Sequence, residues 1–455
     1  MNKPDKDGVK NNGIAPGMVV ADSPVGADSP VGADSPVGAH GPVGAHGPVG
    51  AHGRAPLPKG WRWARLWEVC ELNPCRPSKL IRSGEEPTTF VPMQAVDKIS
   101  GTIAKAETRP YAEICKGYTY FAEGDVLFAK ITPCMQNGKH AIAKGLIDGL
   151  GFGSTEFHVI RPKAEITSEW VHKYLRQPHI LRSAIAYFAG AVGQQRVPIG
   201  FIANLEIPLP PLPEQKRIAA ILNEQMAAVE KARAAAEAQL AAAKALPAAY
   251  LRSVFSSPEA QKWPKKKLET VGLFESGGTP SKENESFWDG DIPFVTGADI
   301  IDFYITRKNA RAYLSQEGLN SGKTAICNKG TVLFVTRTRV GRVGIASETM
   351  GASQDLSPYI CGSEILPEYA CRYLLSISDF LIDGCRGATI QGLTRDFIRS
   401  IEIPLPPLPE QKHIAAILNE QMAAAQKLSE HLEEQLDAIN KLPTALLRRA
   451  FNGEL

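Results

Sequence analysis

Long uninterrupted hydrophobic runs are missing from this sequence, and so are paired cysteines. The most apolar-looking stretch, Ala227 to Tyr250, carries Glu230, Lys231, Arg233, Glu237 and Lys244. A bilayer interior would not tolerate those charges, so no membrane span is expected. The eight cysteines, Cys70, Cys75, Cys115, Cys134, Cys327, Cys361, Cys371 and Cys385, form no CxxC pair and no zinc-ligand spacing. With no charged-then-apolar leader at the start, they read as reduced thiols of a cytoplasmic protein. Charge of one sign is scarce as well: 51 Lys and Arg against 48 Asp and Glu leave a formal net of +3. So small a net charge decides nothing about nucleic acid, which needs only a local basic face. What remains is ordinary globular material, 455 residues at 44% hydrophobic and 22% charged, enough for two or more domains with a core each.

The first 56 residues stand apart. From about residue 21 to 53 the unit Ala-Asp-Ser-Pro-Val-Gly gives way to Ala-His-Gly-Pro-Val-Gly, with Pro and Gly in every unit and no aromatic. Such a segment cannot bury enough surface to fold, so 1–56 is expected to be a disordered low-complexity tail. His40, His46 and His52 recur every six residues in it, and a metal-binding tract is the less favoured alternative.

Sliding the chain against itself exposes a second repeat. Glu206 to Ala228 reads EIPLPPLPEQKRIAAILNEQMAA and Glu402 to Ala424 reads EIPLPPLPEQKHIAAILNEQMAA, an offset of 196 with only Arg217 against His413 different. The offset still aligns Leu246-Pro247 with Leu442-Pro443 and Phe255 with Phe451. Upstream of each copy lies a region that is far less alike, so the expected order is tail 1–56, variable domain 57–205, constant region 206–258, variable domain 259–400 and constant region 401–455. Each constant block opens with a proline-rich run that forbids helix and favours polyproline geometry. After Pro213 and Pro409 it turns helical, with a four-three stripe through Ile218, Leu222, Gln225, Val229, Ala232 and Ala236. The second stripe is Ile414, Leu418, Gln421, Ala425, Leu428, Leu432, Gln435, Ile439 and Leu442. Measured from Pro213 to Pro247, a helix would run roughly 50 Å at about 1.5 Å per residue. A single stripe is usually one more core helix. Two near-identical stripes, each tied to its own globular region, imply two long helices that pair as an antiparallel coiled coil about an internal pseudo-twofold. Such a rod covers more than one turn of duplex DNA, about 34–36 Å.

The variable regions mix short strands, such as Asp125 to Ala129 and Thr331 to Val335, with a late helix, Glu169 to Phe188 interrupted at Pro178 and Pro367 to Ile382. The fold class is therefore α+β, with two similar domains alternating with two long helices. Trp61 with Trp263, Gly124 with Gly330, Gly190-Ala191 with Gly387-Ala388 and Phe201-Ile202 with Phe397-Ile398 still correspond, so the two domains are expected to share a fold and differ in surface.

Three pieces now carry a resemblance that covers about Leu57 to Leu455: the doubled IPLPPLPEQ-x-x-IAxIL block; Ser276-Gly-Gly-Thr-Pro-Ser281 followed by Phe287-Trp-Asp-Gly-Asp-Ile-Pro-Phe294; and Gly153-Ser-Thr-Glu-Phe157 leading to Arg161-Pro162. The chain resembles the specificity subunit of type I restriction-modification systems. The resemblance implies two target-recognition domains, each reading one half of a bipartite sequence in double-stranded DNA, and helical regions that space them and dock modification subunits. It implies no cofactor in this chain. The modification subunits would use S-adenosylmethionine to methylate adenine, and the restriction subunits ATP and Mg²⁺ to translocate and cleave. The tail is outside that pattern. The dissimilarity of the two domains suggests unlike half-sites and an asymmetric target.

Candidate DNA-reading residues follow the matched strands. Thr336 to Gly344 places Arg337, Arg339 and Arg342 on a glycine-bearing loop, where Arg can contact guanine in bidentate fashion and Gly allows close approach. The equivalent loop of the first domain offers Lys130, Gln136, Asn137 and Lys139. Late clusters follow in each: Gln194, Gln195 and Arg196, and Gln391, Thr394 and Arg395. Glutamine suits adenine, and amides and hydroxyls also reach phosphate; the bland alternative is a solvated loop. The run Lys265-Lys266-Lys267 reads as a phosphate anchor or plain surface.

Catalytic motifs are incomplete. Gly318-Leu-Asn-Ser-Gly-Lys-Thr324 has three residues between its glycines where a phosphate loop needs four, and no apolar strand precedes it. Gly149-Leu-Gly-Phe-Gly153 opens no helix, Asn73-Pro74-Cys75-Arg76 lacks the second proline and the aromatic of an aminomethyltransferase motif, and no convincing Asp…Glu-x-Lys nuclease core is present. Chemistry is therefore expected in partners. The competing readings are a non-catalytic coiled-coil scaffold and, more remotely, a stand-alone nuclease or methyltransferase.

Overall fold

The computed structural model describes residues 56–78, 80–190, 195–321, 324–385 and 392–455. The hexapeptide tail with its histidines, and the candidates Gln194 and Gln391, lie outside the described residues.

Both variable regions fold with one topology. In the first domain one sheet runs Cys70–Leu72, Phe157–Pro162, Val126–Ala129, His140–Ile142, and a second runs Glu107–Pro110, Pro87–Val91, Leu150–Gly153, Thr119–Ala122. The second domain repeats both orders as Gly272–Phe274, Leu356–Cys361, Val332–Val335, Val343–Ala346, with Tyr304–Ile305 added at the edge, and as Ala312–Leu314, Ile292–Val295, Met350–Ala352, Ala325–Cys327. The central strands are buried on both faces and do not alternate, as expected when a sheet is sandwiched between a second sheet and helices. Gly124 and Gly330, with φ of 85° and 91°, turn the chain into those two strands through the left-handed region that glycine enters freely. The late helices split: Ser168–Leu175 then Pro178–Ile185, and Pro367–Ser376 then Ser378–Cys385.

Part of each proline-rich run is strand. Glu206–Leu209 pairs with Arg62–Arg65, and Glu402–Pro404 with Lys265–Lys267, both antiparallel. The basic run is thus an exposed ribbon strand, with Lys266 paired to Glu364.

The constant helices run Leu212–Phe255 and Leu408–Phe451, 44 residues each, or about 66 Å at about 1.5 Å per residue. They pass through Pro247 and Pro443 instead of stopping there. An internal proline costs about 3 kcal/mol, and the following turns offset it because Leu251 packs into the second domain's core and Leu447, Ala450 and Phe451 into the first. Helix beginnings and ends meet in those same cores: Ile218 and Leu222 lie with Leu447 and Phe451, and Leu251 lies with Ile414 and Leu418. The pair is therefore antiparallel. Between the cores, burial falls on one row per helix at seven-residue spacing, Leu222, Val229, Ala236, Ala243 and Leu418, Ala425, Leu432, Ile439. Of the other row expected in the seam, Gln225 and Gln421 are half-buried while Ala232, Leu428, Gln435 and Leu442 are exposed; the second, half-buried row lies one residue on, at Met226, Arg233 and Leu240 and at Met422, Ser429 and Leu436.

Hydrogen bonds weld each domain to the rod in duplicate. The fully buried Gln215 accepts from Thr167 N–H and donates to the carbonyls of Glu165 and Pro210. Gln411 makes the same three bonds, to Leu366 N–H, Glu364 O and Pro406 O. Trp170 and Tyr369 donate to the carbonyls of Pro208 and Pro404, Tyr174 and Tyr373 to those of Glu206 and Glu402. Phe451 lies against Trp170 and Tyr174, and Phe255 against Tyr369 and Tyr373. No helix among the described residues is long and apolar enough to cross a membrane.

Candidate nucleic-acid interface

The candidate loops of the two domains occupy equivalent places. Val197 N–H donates to Lys130 O at 2.9 Å and Leu393 N–H to Thr336 O at 2.9 Å, while Ile131 bridges Arg196 as Arg337 bridges Gly392. Lys130 N–H and Thr336 N–H donate to the carbonyls of Glu156 and Asp355, each at 2.9 Å. In each domain the loop after the central strand, the late cluster and the turn at Ser154–Glu156 or Ser353–Asp355 therefore form one surface. Neither turn is among the candidate DNA-reading residues of the sequence, although Gly153 to Phe157 carries part of the family resemblance.

Within that surface the candidates divide by what they touch. Gln136 and Asn137 are exposed on the first domain's loop, and Arg337 and Arg339 on the second's. Thr338, between the two arginines, has φ 62°, a left-handed conformation that a β-branched residue seldom adopts. Such strain is held at places where loop shape matters. Arg395 is exposed at the start of the helix Arg395–Ser400, whose N-terminus is capped by Thr394 Oγ1 accepting from Phe397 N–H. Four candidates have side-chain partners that position the loops: Lys139 donates to Met93 O, Arg342 to Ile300 O, Thr394 makes its cap, and Arg196 grips Glu156 through two bonds of 2.9 and 2.7 Å. The Arg196 guanidinium holds the Glu156 carboxyl below the usual range. Lys130 and Gln195 are half-buried, the latter accepting Thr132 N–H on its main-chain carbonyl.

Beneath the first domain's loop sit three buried histidines, and burial lowers the pKa of each. His158 Nε2 donates to Val197 O while Asn73 Nδ2 donates to its Nδ1, and His172 Nε2 donates to His140 O. His140 stacks on Phe128 at 4.1 Å and accepts Ala129 N–H on Nδ1. Arg176 donates to the carbonyls of Gly138 and His140 on one side and of Lys98 and Ile99 on the other. The loop thus rests on buried imidazoles and the Arg176 guanidinium, with His140 Nε2 buried and without a hydrogen-bond partner, and among the described residues no cluster of His, Cys, Asp and Glu is placed to hold a metal ion.

Comparison with known proteins agrees with this architecture. The family profile of the type I restriction modification DNA specificity domain matches twice, over residues 58–237 and 260–438. The specificity subunit of type I restriction enzyme EcoEI from Escherichia coli is 39% identical over 171 residues, 37% of this chain and 28% of that protein. The chain thus spans little more than a quarter of the length of that relative, and of the EcoAI subunit, 41% identical over 167 residues. The putative MjaX specificity subunit of Methanocaldococcus jannaschii is matched over 86% of this chain and 93% of its own length at 25% identity. Among solved structures, the HsdS subunit from Thermoanaerobacter tengcongensis superposes with a TM-score of 0.65 at 27% identity, over 89% of this chain and 99% of that one. A chain from a study of complex assembly and conformational transition in a type I R-M system reaches a TM-score of 0.71 at 25% identity, over 88% and 100%. With both recognition domains and most of both rod helices inside the matched segments, this chain belongs to the type I restriction-modification DNA specificity family.

Proposed function

We propose that the chain is the non-catalytic DNA-reading subunit of a cytoplasmic type I restriction-modification complex. Each domain reads one half of a bipartite, asymmetric sequence, and the helix pair fixes the gap. Modification subunits docked on the helical regions transfer a methyl group from S-adenosylmethionine to adenines placed by that binding, and extrusion of the base is their task. Restriction subunits add translocation and cleavage with ATP and Mg²⁺. The observation that carries this reading is the duplication: two domains of one topology, with unlike loops, welded by identical bonds to opposite ends of an antiparallel rod. At about 66 Å the rod spans nearly two turns of duplex, each about 34–36 Å, which suits half-sites read from one side.

The test is co-expression with the modification subunit in a host without adenine methylation, followed by single-molecule sequencing of the genome. A split motif with a constant unspecified gap, absent when this chain is omitted, is expected. A stable complex that leaves no motif would favour the scaffold reading instead.

A further inference from the structure

The second domain holds a cavity of about 340 Å³ beside its reading loop, within the roughly 300–1,000 Å³ typical of ligand sites. Its floor is Phe294 and its wall Trp288, which meet edge to face at 5.2 Å, and the Trp288 indole is fixed by donating to Ser281 O at 3.0 Å. Lys282, Arg311 and Gln354 stand around it, and a shallower hollow of about 420 Å³ extends past Lys282 and Trp288. Glycine builds the walls: at Gly277 a Cβ would stand 1.9 Å from Ser353 O, so only glycine lets the Ser276–Ser281 segment lie flat on the neighbouring strand. The opposite rim is continuous with the loop, since a Cβ on Gly297 would stand 3.5 Å from Thr338 Oγ1 and 3.5 Å from Asp355 Cβ.

The chemistry around this cavity is that of a nucleotide contact. Lys282 is exposed, and Arg311 has a largely exposed side chain whose Nε lies 2.9 Å from the buried Asp299 carboxylate. Gln354 is exposed on the turn that abuts Thr336. Asp299 and Asp355 also line the cavity, and Glu285 and Asp289 the adjoining hollow; Lys282 and the exposed part of Arg311 suit a phosphate at the rim, an aromatic wall suits the apolar face of a deoxyribose, and an amide suits the edge of adenine. The first domain is built differently at this point: the equivalent Phe90 is covered by the Arg109 guanidinium at 4.1 Å and by Tyr118 at 4.8 Å.

We infer that this cavity seats one nucleotide of the DNA strand that passes the Arg337–Arg339 loop. Its phosphate rests on Lys282 and Arg311, its sugar on Trp288, and its base edge meets Gln354. The inference rests on the DNA-reading role proposed above and adds a contact belonging to the second half-site alone. Lys282→Ala and Gln354→Ala, both exposed positions, test it in the complex with the modification subunit, using the mapped motif, a duplex carrying it and a scrambled duplex. Lys282→Ala is expected to weaken binding roughly fivefold on both duplexes and to flatten the slope of log affinity against log salt by about 1. Gln354→Ala is expected to relax one base pair of one half-site, with about a tenfold fall in discrimination, and to leave the other half-site intact. If both variants keep the parental motif and salt slope while Arg337→Ala/Arg339→Ala erases one half-site, the cavity is not a DNA contact although the domain reads DNA. If the double arginine variant also leaves the motif unchanged, the reading on which the inference rests fails with it.

Discussion

At the scale of single residues the two domains differ in their protonation chemistry. His140, His158 and His172 are buried in the first domain, whereas residues 259–400 contain no histidine. Protonating Nδ1 of His140 or His158 would turn an N–H against the Ala129 or Asn73 donor it now faces, and burial pushes His172 down to about 4. Each is neutral in the fold but protonates near pH 6.5 once unfolded, so the unfolded chain binds more protons as the pH drops. Their stabilisation is present above pH 6.5 and is lost as the pH falls below it, for His172 toward about 4. Between pH 7 and 5, amide exchange corrected for intrinsic rates is therefore expected to speed up in the first domain more than in the second. Equal changes in both domains would refute this.

At the scale of elements, the buried glutamines explain the doubled Pro-Glu-Gln sequence better than polyproline geometry does. Each one closes three backbone groups where strand, helix and domain meet. Gln215→Ala leaves those groups without partners at roughly 1–3 kcal/mol each, so urea denaturation should show a loss of about 3 kcal/mol or more, with a similar loss for Gln411→Ala. A loss below about 1 kcal/mol would mean that water replaces the side chain. The duplicated block and its helices were legible because near-identity over so long a stretch has no other cause. The helix ends were not, because a proline reads locally as a stop while the packing of Phe255 and Phe451 is a distant contact. In the seam, Leu428 and Leu442 share the periodicity of buried neighbours, and only the geometry of a two-helix rod leaves them in water. The equivalence of the loops after Lys130 and Thr336 could be read from the preceding strands. The partners of Lys139, Arg196 and Arg342 could not, since loops fold back on distant carbonyls and carboxylates without any period. Trp288 and Gln354 come together only through the parallel pairing of Ile292–Val295 with Met350–Ala352, a contact no local pattern announces.

At the scale of the whole molecule, each helix starts in one domain and ends in the core of the other. Phe451→Ala removes a ring packed 4.4 Å from Trp170, at a cost of about 3–5 kcal/mol. Exchange should rise in the first domain although the substituted helix starts in the second; exchange confined to the helix's own last turn would argue against this strap. On the proposed function, the same crossed packing separates what is read from how far apart it is read. Gln136→Ala/Asn137→Ala alters only the first domain's exposed loop, and Arg337→Ala/Arg339→Ala only the second's, while neither touches the row from Leu222 to Ala243 or that from Leu418 to Ile439. Methylation mapping should therefore show the first pair relaxing one half-site and the second pair the other, each with the parental gap. A changed gap, or both half-sites relaxing together, would mean that the loops bear on the rod and that spacing and sequence are read as one.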